Sequence, residues 1–269
     1  MLVVCNGMYR SGSTLQYRLA VEVCATASEC VDLGFADWGE HPEATIRAWA
    51  EANRWHVVKA HQALPGDIVD TPGVVVLYTY RDLRDVAASI LALLGDDWAR
   101  VLGFIDDGVE QGRRIESRPI VAQRYEDLVA GPEAATREIA RAIGVDVDDA
   151  TIDRLVNAHS RQRVLVAQQK LQQDHRVFHA LKRGRQRVPP GVVDLVRRSG
   201  LHRVWRAAMA RLRPADTLHT DHISSSGGEP GAWRNVLSPA RVDEIEQRYG
   251  PWLAAHGYLV GTSQSDSSP

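Results

Sequence analysis

Residues 7–14 read Gly-Met-Tyr-Arg-Ser-Gly-Ser-Thr, in which two hydroxyl residues follow the second glycine. A short apolar run, residues 2–5, precedes this stretch. Apolar residues recur every four positions after it, at Leu15, Leu19 and Val23. This pattern predicts a strand, a loop and then a helix. Glycines in such a loop let backbone N–H groups converge on an anion, and the N-terminus of the helix adds partial positive charge. The stretch therefore predicts a phosphate-binding loop.

The position of the basic residue in this loop separates two classes of protein. The loop of a nucleotide kinase carries lysine directly after the second glycine, where it contacts the β- and γ-phosphates. Here Ser13 occupies that position, and the basic residue stands earlier, at Arg10. The missing lysine counts against a P-loop kinase or related nucleotide phosphotransferase. A glycine-rich turn that binds no ligand is the other alternative.

The composition is that of a globular protein. Of the 269 residues, 44% are hydrophobic, and no apolar run approaches the ~20 residues that cross a bilayer. The sequence begins without the basic region of a signal peptide, and its three cysteines lack metal-ligand spacing. We therefore expect a cytoplasmic protein with a single domain over residues 1–261 and a disordered tail over residues 262–269.

Strand and helix patterns alternate along the chain. Strands are predicted at Leu2–Cys5, Trp55–Lys59, Gly73–Arg81 and Ile120–Tyr125. Helices are predicted around Leu15–Val23, over Pro42–Ala50, and at Asp85–Leu94, Pro132–Ile143 and Pro239–His256. Such alternation is typical of βαβ units. The predicted fold is a three-layer α/β domain with a central parallel sheet and helices on both faces.

The glycine-containing loop resembles the loop with which sulfotransferases bind the 5′-phosphosulfate of 3′-phosphoadenosine 5′-phosphosulfate (PAPS). The pattern of that family is Lys or Arg, then Ser-Gly, then two hydroxyl residues, and residues 10–14 follow it. The resemblance implies that this P-loop-like segment binds the donor through Arg10, Ser11, Gly12, Ser13 and Thr14. The usual proline before the basic residue is replaced by Tyr9.

Lys59-Ala60-His61 resembles the Lys-x-His segment of the same family, in which the histidine is the catalytic base. The resemblance implies that His61 removes a proton from the acceptor, a role that suits the ordinary imidazole pKa of about 6.5. It also implies that Lys59 and Arg10 stabilise charge on the transferring group.

Three further segments resemble donor-binding parts of the family. Residues 80–89 resemble the 3′-phosphate site, in which an arginine and a serine eight positions later bind the phosphate. Residues 124–128 resemble a Tyr-Glu-Asp segment, and residues 228–235 resemble a late glycine loop. A weaker resemblance covers residues 159–160. Together they imply that the donor is also bound by Arg81, Ser89, Tyr125, Ser160, Gly228, Gly231 and Trp233.

One departure from the family concerns the 3′-phosphate. The late glycine loop of the family is usually preceded by Arg-Lys, and this chain has Ser226 and Gly227 there. We expect Arg84, or the arginines of residues 161–213, to replace that pair.

The function implied by the resemblance is transfer of a sulfuryl group from PAPS to a hydroxyl or amine, with adenosine 3′,5′-bisphosphate as the product and no metal. The donor is expected across the carboxyl ends of the strands. Small-molecule, glycan and lipid acceptors, as well as phenols and peptide tyrosines, stay open. A P-loop kinase and a non-catalytic sulfotransferase-like binding module are the two alternatives.

A basic segment, residues 161–213, holds fourteen Lys and Arg but only two acidic residues. It lies within residues 161–231, which are predicted to form a helical and loop lid. The segment is either a solvated surface or a docking surface for an anionic acceptor or an anionic membrane. Nucleic acid is not expected as a partner, because the whole chain has a net charge of −2 and its arginines lack regular aromatic interleaving.

Overall fold

In a computed structural model of the protein, the structure describes residues 1–118, 120–159 and 228–258. Ser160, most of the predicted lid with its basic segment, and the predicted tail lie outside the described residues. Residues 1–156 with 221–269 form one unit and residues 157–220 a second. The elements below belong to the first unit, apart from the last residues of one helix, and the single-domain arrangement stays a prediction.

The central sheet of the described chain has five parallel strands. They are β1 (Leu2–Gly7), β2 (Cys30–Phe35), β3 (Trp55–Ala60), β4 (Val74–Tyr80) and β5 (Val121–Arg124). Their order is β2-β3-β1-β4-β5. The connections that leave the neighbouring strands β1 and β4 therefore run to opposite sides. The loops after these two strands enclose a crevice at the carboxyl edge of the sheet, where α/β proteins bind ligands.

Helices cover both faces of this sheet. They are α1 (Ser13–Ala27), α2 (Glu43–Glu51), α3 (Leu83–Leu94), α4 (Trp98–Glu116), α5 (Tyr125–Ala130), α6 (Pro132–Ile143), α7 (Asp149–Ala158) and α8 (Pro239–Ala255). One core joins α1, α5, α6 and α7 to the sheet, and a second core on the other face joins α2 and α4 to it. Helices α3 and α8 pack with α4 in a third cluster. In the described part of the chain, no helix has the length and apolarity needed to span a bilayer.

Strand β1 shows why the sequence forms a sheet with two covered faces. Successive side chains of a strand point to opposite faces. Val3 and Cys5 lie in the core with α1, whereas Leu2 and Val4 lie in the core with α2. All four side chains are fully buried, and a strand buried on both faces is apolar throughout. The three-layer α/β fold with helices on both faces is therefore confirmed.

Three elements differ from the predicted ones. Strand β2 was not predicted, because it is a half-exposed edge strand with an aspartate and a glycine, and it carries a register shift between Asp32 and Gly34. Helix α4 was not predicted either, because Gly103, Gly108 and Gly112 lower its helix propensity. Residues 125–130, expected as a strand end and loop, form the short helix α5.

Gly112 tests how closely α4 packs on the sheet. A methyl group at Gly112 would lie 2.5 Å from the buried hydroxyl of Tyr78. We expect Gly112→Ala to lower the free energy of unfolding by about 1–3 kcal/mol, because overpacking forces side chains from their preferred rotamers. Gly103→Ala on the same helix is the control, since a methyl group there meets no atom within 4 Å; it should stabilise by up to about 1 kcal/mol. Denaturant titration measures both changes, and equal effects would contradict the close contact.

Candidate functional site

The loop between β1 and α1 has an unusual backbone. Gly12 has φ 84°, and a Cβ atom there would lie 2.7 Å from the Tyr125 ring. Arg10 has φ 65° and is the one non-glycine residue of the described chain with positive φ. A left-handed conformation costs a residue with a side chain about 1 kcal/mol or more, and such residues cluster at ligand sites. The loop is therefore held in this shape by its surroundings.

The pairing of β1 with β4 and the hydroxyl of Ser11 stabilise the loop between β1 and α1. Gly7 ends β1 opposite Thr79 of β4, and a Cβ atom at Gly7 would lie 2.3 Å from the Thr79 hydroxyl. The Ser11 hydroxyl lies 2.7 Å from the Met8 carbonyl, to which it donates, and 2.8 Å from the Thr79 hydroxyl. The Ser11 side chain is fully buried, so its hydroxyl stabilises the conformation of the loop.

Helix α1 begins at Ser13 with open backbone donors. Within the described residues, the N–H groups of Ser13 and Thr14 donate to no backbone carbonyl, and no side chain caps this end. Lys59 of β3 lies beside them and donates from Nζ to the Thr14 hydroxyl at 2.7 Å. The N-terminus of a helix together with a cation favours binding of an anion.

Lys59 and Arg10 reinforce this positive potential. Burial, with a smaller contribution from Arg10, lowers the pKa of Lys59 to about 8. Burial likewise lowers the pKa of Arg10, and the neighbouring charge of Arg81 adds to that effect. Burial is the larger cause of both pKa shifts, and the mutual contribution of neighbouring cations is the smaller one, so an anion bound here would offset both.

His61 follows β3 and is tied to the end of β1. Its Nδ1 atom lies 2.6 Å from the Gly7 carbonyl oxygen. A carbonyl oxygen only accepts hydrogen bonds, so Nδ1 carries the proton and Nε2 carries the lone pair. Burial, and then the charge of Lys59, lower the pKa of His61 to about 4. At neutral pH the imidazole is therefore uncharged and can accept a proton at Nε2.

Aromatic side chains surround the imidazole of His61. The centroid of the Tyr9 ring lies 4.4 Å away and that of Phe35 lies 5.5 Å away. Phe104 of α4 contacts the far side of Tyr9, at 5.0 Å between centroids. Phe35 is 55% exposed, so part of this aromatic wall faces solvent.

Arg81 lies at the end of β4 and is 3% exposed. It donates from Nη2 to the carbonyl oxygens of Gly228 and Glu229 at 3.2 and 3.3 Å, and its guanidinium lies 4.1 Å from the centre of the Tyr125 ring. The Tyr125 hydroxyl donates to the Gly228 carbonyl at 2.6 Å. Arg81 also donates to the Arg10 carbonyl at 3.4 Å. The late glycine loop is thereby joined to the first loop.

Asp85 holds the late glycine loop by its backbone. Its carboxylate accepts from Gly231 N at 2.7 Å and from Trp233 N at 3.0 Å, and it lies 3.7 Å from Arg81. The side chain of Asp85 is almost completely buried. A buried carboxylate bound by two N–H groups and one guanidinium is a rigid anchor.

Arg84 does not have the role expected of it. Its guanidinium donates to Asp82 at 2.8 Å and to Glu246 at 2.6 Å, and it also packs over the Trp233 ring. Two carboxylates balance its charge, so Arg84 stabilises the packing of α3 on α8 and is a poor replacement for the missing Arg-Lys pair. The other expected replacements, residues 161–213, lie outside the described residues.

The structure brings most of the sequence-predicted site residues to the carboxyl edge of the sheet. Contacts join the first loop to Lys59 and to Ser89, whose hydroxyl accepts from Arg10 Nε at 2.7 Å. Through Arg81 and Asp85 the same network reaches Tyr125, Gly228, Gly231 and Trp233. Ser160 lies outside the described residues. Among the described residues, no group of three or more His, Cys, Asp and Glu side chains is placed to hold a metal ion.

Two contributors were not assigned a role from the sequence. Thr79 supports the first loop and Asp85 anchors the late one. Asp85 lies four residues after Arg81, within the segment that resembles the 3′-phosphate site. Its place in that segment is the feature of the sequence from which its role could have been predicted. Thr79 is an ordinary strand residue, and its role follows only from the register with Gly7.

Comparison with known proteins supports the fold. No protein-family model matches the sequence, and no curated protein does. Retinol dehydratase, crystallised with androsterone and the inactive cofactor PAP (adenosine 3′,5′-bisphosphate), is 14% identical over 97% of this chain and 82% of its own, with a TM-score of 0.55. The same enzyme with retinol and PAP is 15% identical over 94% of this chain and 81% of its own, with a TM-score of 0.55.

Mouse sulfotransferase SULT7A1, crystallised with PAP, is 11% identical over 94% of this chain and 84% of its own, with a TM-score of 0.56. Likeness at these identities concerns the fold. The chain therefore has the sulfotransferase fold, as the sequence resemblance implied.

Replacing Asp85 tests the anchor of the late loop. We expect Asp85→Ala to raise the hydrogen-exchange rates of the Gly231 and Trp233 amides at least about tenfold, because their acceptor is lost and the loop opens more often. Asp97→Ala is the control, since it removes the cap of α4 and should leave both amides protected. Unchanged exchange in Asp85→Ala would show that other contacts hold the loop.

Proposed function

We propose that the protein transfers a sulfuryl group from PAPS to a hydroxyl or amine of an acceptor, with His61 as the general base. The observation that carries the proposal is the hydrogen bond between His61 Nδ1 and the Gly7 carbonyl. It joins a neutral imidazole to the strand that leads into an anion-binding loop. The fold, shared with proteins crystallised with PAP, supports the same function.

The residues of the first loop fit the 5′ end of this donor. The open N–H groups of Ser13 and Thr14, the glycine backbone of Gly12 and the cations Lys59 and Arg10 would bind the phosphosulfate. Bound PAPS supplies a sulfuryl group whose bond to the phosphate oxygen breaks as the acceptor bonds to sulfur, which leaves PAP. Lys59 and Arg10 stabilise the negative charge on the transferring and leaving oxygens, so fixed cations can serve without a metal.

The second half of the site would bind the 3′-phosphate and the nucleoside. Arg81 and Ser89 are the proposed 3′-phosphate ligands, and both contact Arg10. The hydrogen bonds of Arg81 are made to carbonyl groups, and a phosphate is a stronger acceptor for a guanidinium than a carbonyl is. Further donor contacts are proposed for Tyr125, Ser160, Gly228, Gly231 and Trp233.

His61 would act on the acceptor from Nε2. With its Nδ1 proton held by Gly7, the imidazole removes the proton from the acceptor hydroxyl as the new bond to sulfur forms. In the free protein the pKa of His61 is lowered to about 4. Donor phosphates beside Lys59 offset the charge that contributes to this shift, so the pKa rises and the imidazole becomes a stronger base when donor is bound.

The proposal also includes the class of acceptor and the location of the protein in the cell. Retinol dehydratase was crystallised with the small molecules retinol and androsterone. For this chain we propose a small-molecule, glycan or lipid acceptor and a cytoplasmic location.

Titration calorimetry with PAP, and in parallel with ATP plus Mg²⁺, tests the donor site. We expect PAP to bind at micromolar concentration or tighter, and Arg10→Ala and Arg81→Ala each to weaken it by at least about tenfold, the effect of losing one charged hydrogen bond. Arg137→Ala is the control, because Arg137 pairs with Asp149 on the surface, and it should bind PAP as the wild type does.

The other outcomes distinguish the alternatives. Binding of ATP with Mg²⁺ but not of PAP would identify a nucleotide phosphotransferase. Binding of neither ligand would favour a non-catalytic module with the same fold.

The role of His61 is tested by turnover, measured as PAP released from PAPS with water or a screened acceptor. We expect His61→Ala to lower turnover by roughly 10²–10⁴-fold, the usual contribution of a general base, and to keep its affinity for PAP. In the wild type, activity should fall as the pH drops through a value between about 4 and 6.5, where Nε2 becomes protonated. His41→Ala, at a histidine packed on Trp49, should leave the activity unchanged. Full activity in His61→Ala would refute the assignment.

A further inference from the structure

The three cysteines of the sequence lie on one face of the sheet. Cys5 of β1 and Cys24 of α1 are fully buried, whereas Cys30, the first residue of β2, is partly buried. Cys5 and Cys24 belong to the core that joins α1 to the sheet, and Cys30 packs against that core. The proposed function uses none of these thiols.

The turn between α1 and β2 brings Cys24 and Cys30 together. The N–H of Ser28 donates to the Cys24 carbonyl at 3.3 Å, at the end of the helix. The Glu29 carbonyl accepts from Trp55 N at 3.2 Å, and Cys30 pairs with Trp55 in the sheet. The chain therefore reverses over residues 25–29, and the Cys24 and Cys30 side chains are hydrogen-bonded to each other. A disulfide needs two thiols that face each other at close range, and the bonds that fix this turn hold them so.

The two thiols of this pair differ in accessibility and in acidity. Cys24 is 0% exposed, whereas Cys30 is partly exposed at the edge strand. The hydrogen bond from Cys24 lowers the pKa of the Cys30 thiol. Burial and the carboxylates of Asp32 and Glu22 oppose that shift. The same hydrogen bond, together with burial, raises the pKa of Cys24. Cys30 is therefore the member of the pair that a solute reaches, and it more readily becomes the thiolate, which is the reactive form.

We propose that Cys24 and Cys30 are a site of reversible oxidation, at which hydrogen peroxide converts the two thiols into a disulfide. Cys30 reacts first: its sulfur attacks a peroxide oxygen, a bond between sulfur and oxygen forms, and the bond between the two oxygens breaks. The hydroxide that leaves takes up the Cys30 proton and becomes water. The sulfur of Cys30 is thereby oxidised to a sulfenic acid, and the peroxide is reduced.

Cys24 completes the reaction. Its sulfur attacks the sulfur of the sulfenic acid, so that the bond between the two sulfurs forms and the bond from sulfur to oxygen breaks. The hydroxide that leaves takes up the Cys24 proton, so one peroxide and two thiols give one disulfide and two waters. Two molecules of glutathione reverse the oxidation by exchange through a mixed disulfide. In a reducing compartment such a disulfide is transient, as redox-sensing disulfides usually are.

Cys5 differs from this pair and provides an internal comparison. It lies in β1, which pairs with β3 on one side and with β4 on the other, and it is fully buried. Burial raises the pKa of its thiol, so Cys5 is both shielded and protonated. Cys30 lies where β2 begins, at the edge of the sheet opposite to the carboxyl edge that holds the candidate site. The oxidation site therefore does not depend on the proposed function.

The test is peptide mapping of the full chain after treatment of the folded protein with hydrogen peroxide, with the remaining thiols blocked before digestion. Cleavage after glutamate separates residues 23–29 from residues 30–40, and each of these peptides contains one cysteine of the pair. We expect the two peptides to stay joined in the treated protein, with a mass two hydrogen atoms below their sum, and to separate when dithiothreitol is added. Cys5 should be recovered as a blocked thiol.

Single variants test the order of the two steps. Cys24→Ser should stop the reaction at the sulfenic acid of Cys30, which dimedone traps. Cys30→Ser should leave a Cys24 thiol that reacts at least about tenfold more slowly than Cys30 does in Cys24→Ser, because it is shielded and less acidic. Cys5→Ala is the control and should form the disulfide as the wild type does.

Three results for the treated wild type would overturn the proposal: separate peptides, a disulfide that includes Cys5, or oxidation of Cys30 to a sulfinic acid without a joined product. Equal rates for Cys24 in Cys30→Ser and for Cys30 in Cys24→Ser would overturn it as well. The mapping of the wild type decides the question even if a variant fails to fold, and it does so whether or not the protein binds PAP.

Discussion

The buried ammonium of Lys59 is the constraint on which the arrangement of the site depends. Lys59 is 7% exposed, and its partner among the described residues is the Thr14 hydroxyl. Lowering its pKa from 10.5 to about 8 corresponds to a cost of the order of 3 kcal/mol for keeping the charge in the folded protein. Such a cost is recovered when an anion binds beside the charge. Fold stability and anion binding therefore make opposite demands on this position, as is common in functional sites.

Arg81 and Arg84 lie three residues apart and carry the same guanidinium group, but their contacts give them different roles. Arg84 is bound by two carboxylates, so its charge is used within the protein. Arg81 donates mainly to carbonyl groups at 3.2–3.4 Å, and its nearest carboxylate, Asp85, lies at 3.7 Å and is shared with two backbone N–H groups. A weakly satisfied guanidinium keeps its attraction for a stronger anion. The sequence shows both arginines in one motif, and only the contacts tell them apart.

Local patterns were enough to predict the central strands, because these segments are buried on both faces and their apolar residues are consecutive. The first loop was predicted from the spacing of its glycine and hydroxyl residues. Strand β2 was not predicted because it lies at the edge of the sheet and includes Asp32 and Gly34. Helix α4 was not predicted because it contains three glycines, two of which, Gly108 and Gly112, are buried. Gly112 lets the helix approach Tyr78. Propensity treats a glycine as a helix breaker, and packing against the sheet overrides it.

The candidate site was harder to predict than the fold, because its residues act through contacts between distant segments. Motifs located Lys59 and His61, yet not the tautomer of His61, which depends on the carbonyl of Gly7 fifty-four positions away.

The lowered pKa of His61 couples the proposed base to the donor site. Burial contributes most to this shift and the charge of Lys59 contributes next, and Lys59 is also the cation that would bind the donor. On the proposed function, an anion that neutralises Lys59 therefore raises the pKa of His61 towards its ordinary value. A stronger base accepts a proton more readily in the transition state. The gain ends when the pKa of the base exceeds the pH, because the base is then already protonated before the reaction. Under the proposed function one cation would serve both groups, so the acceptor would be deprotonated efficiently only when the sulfuryl group that receives its oxygen is already in place.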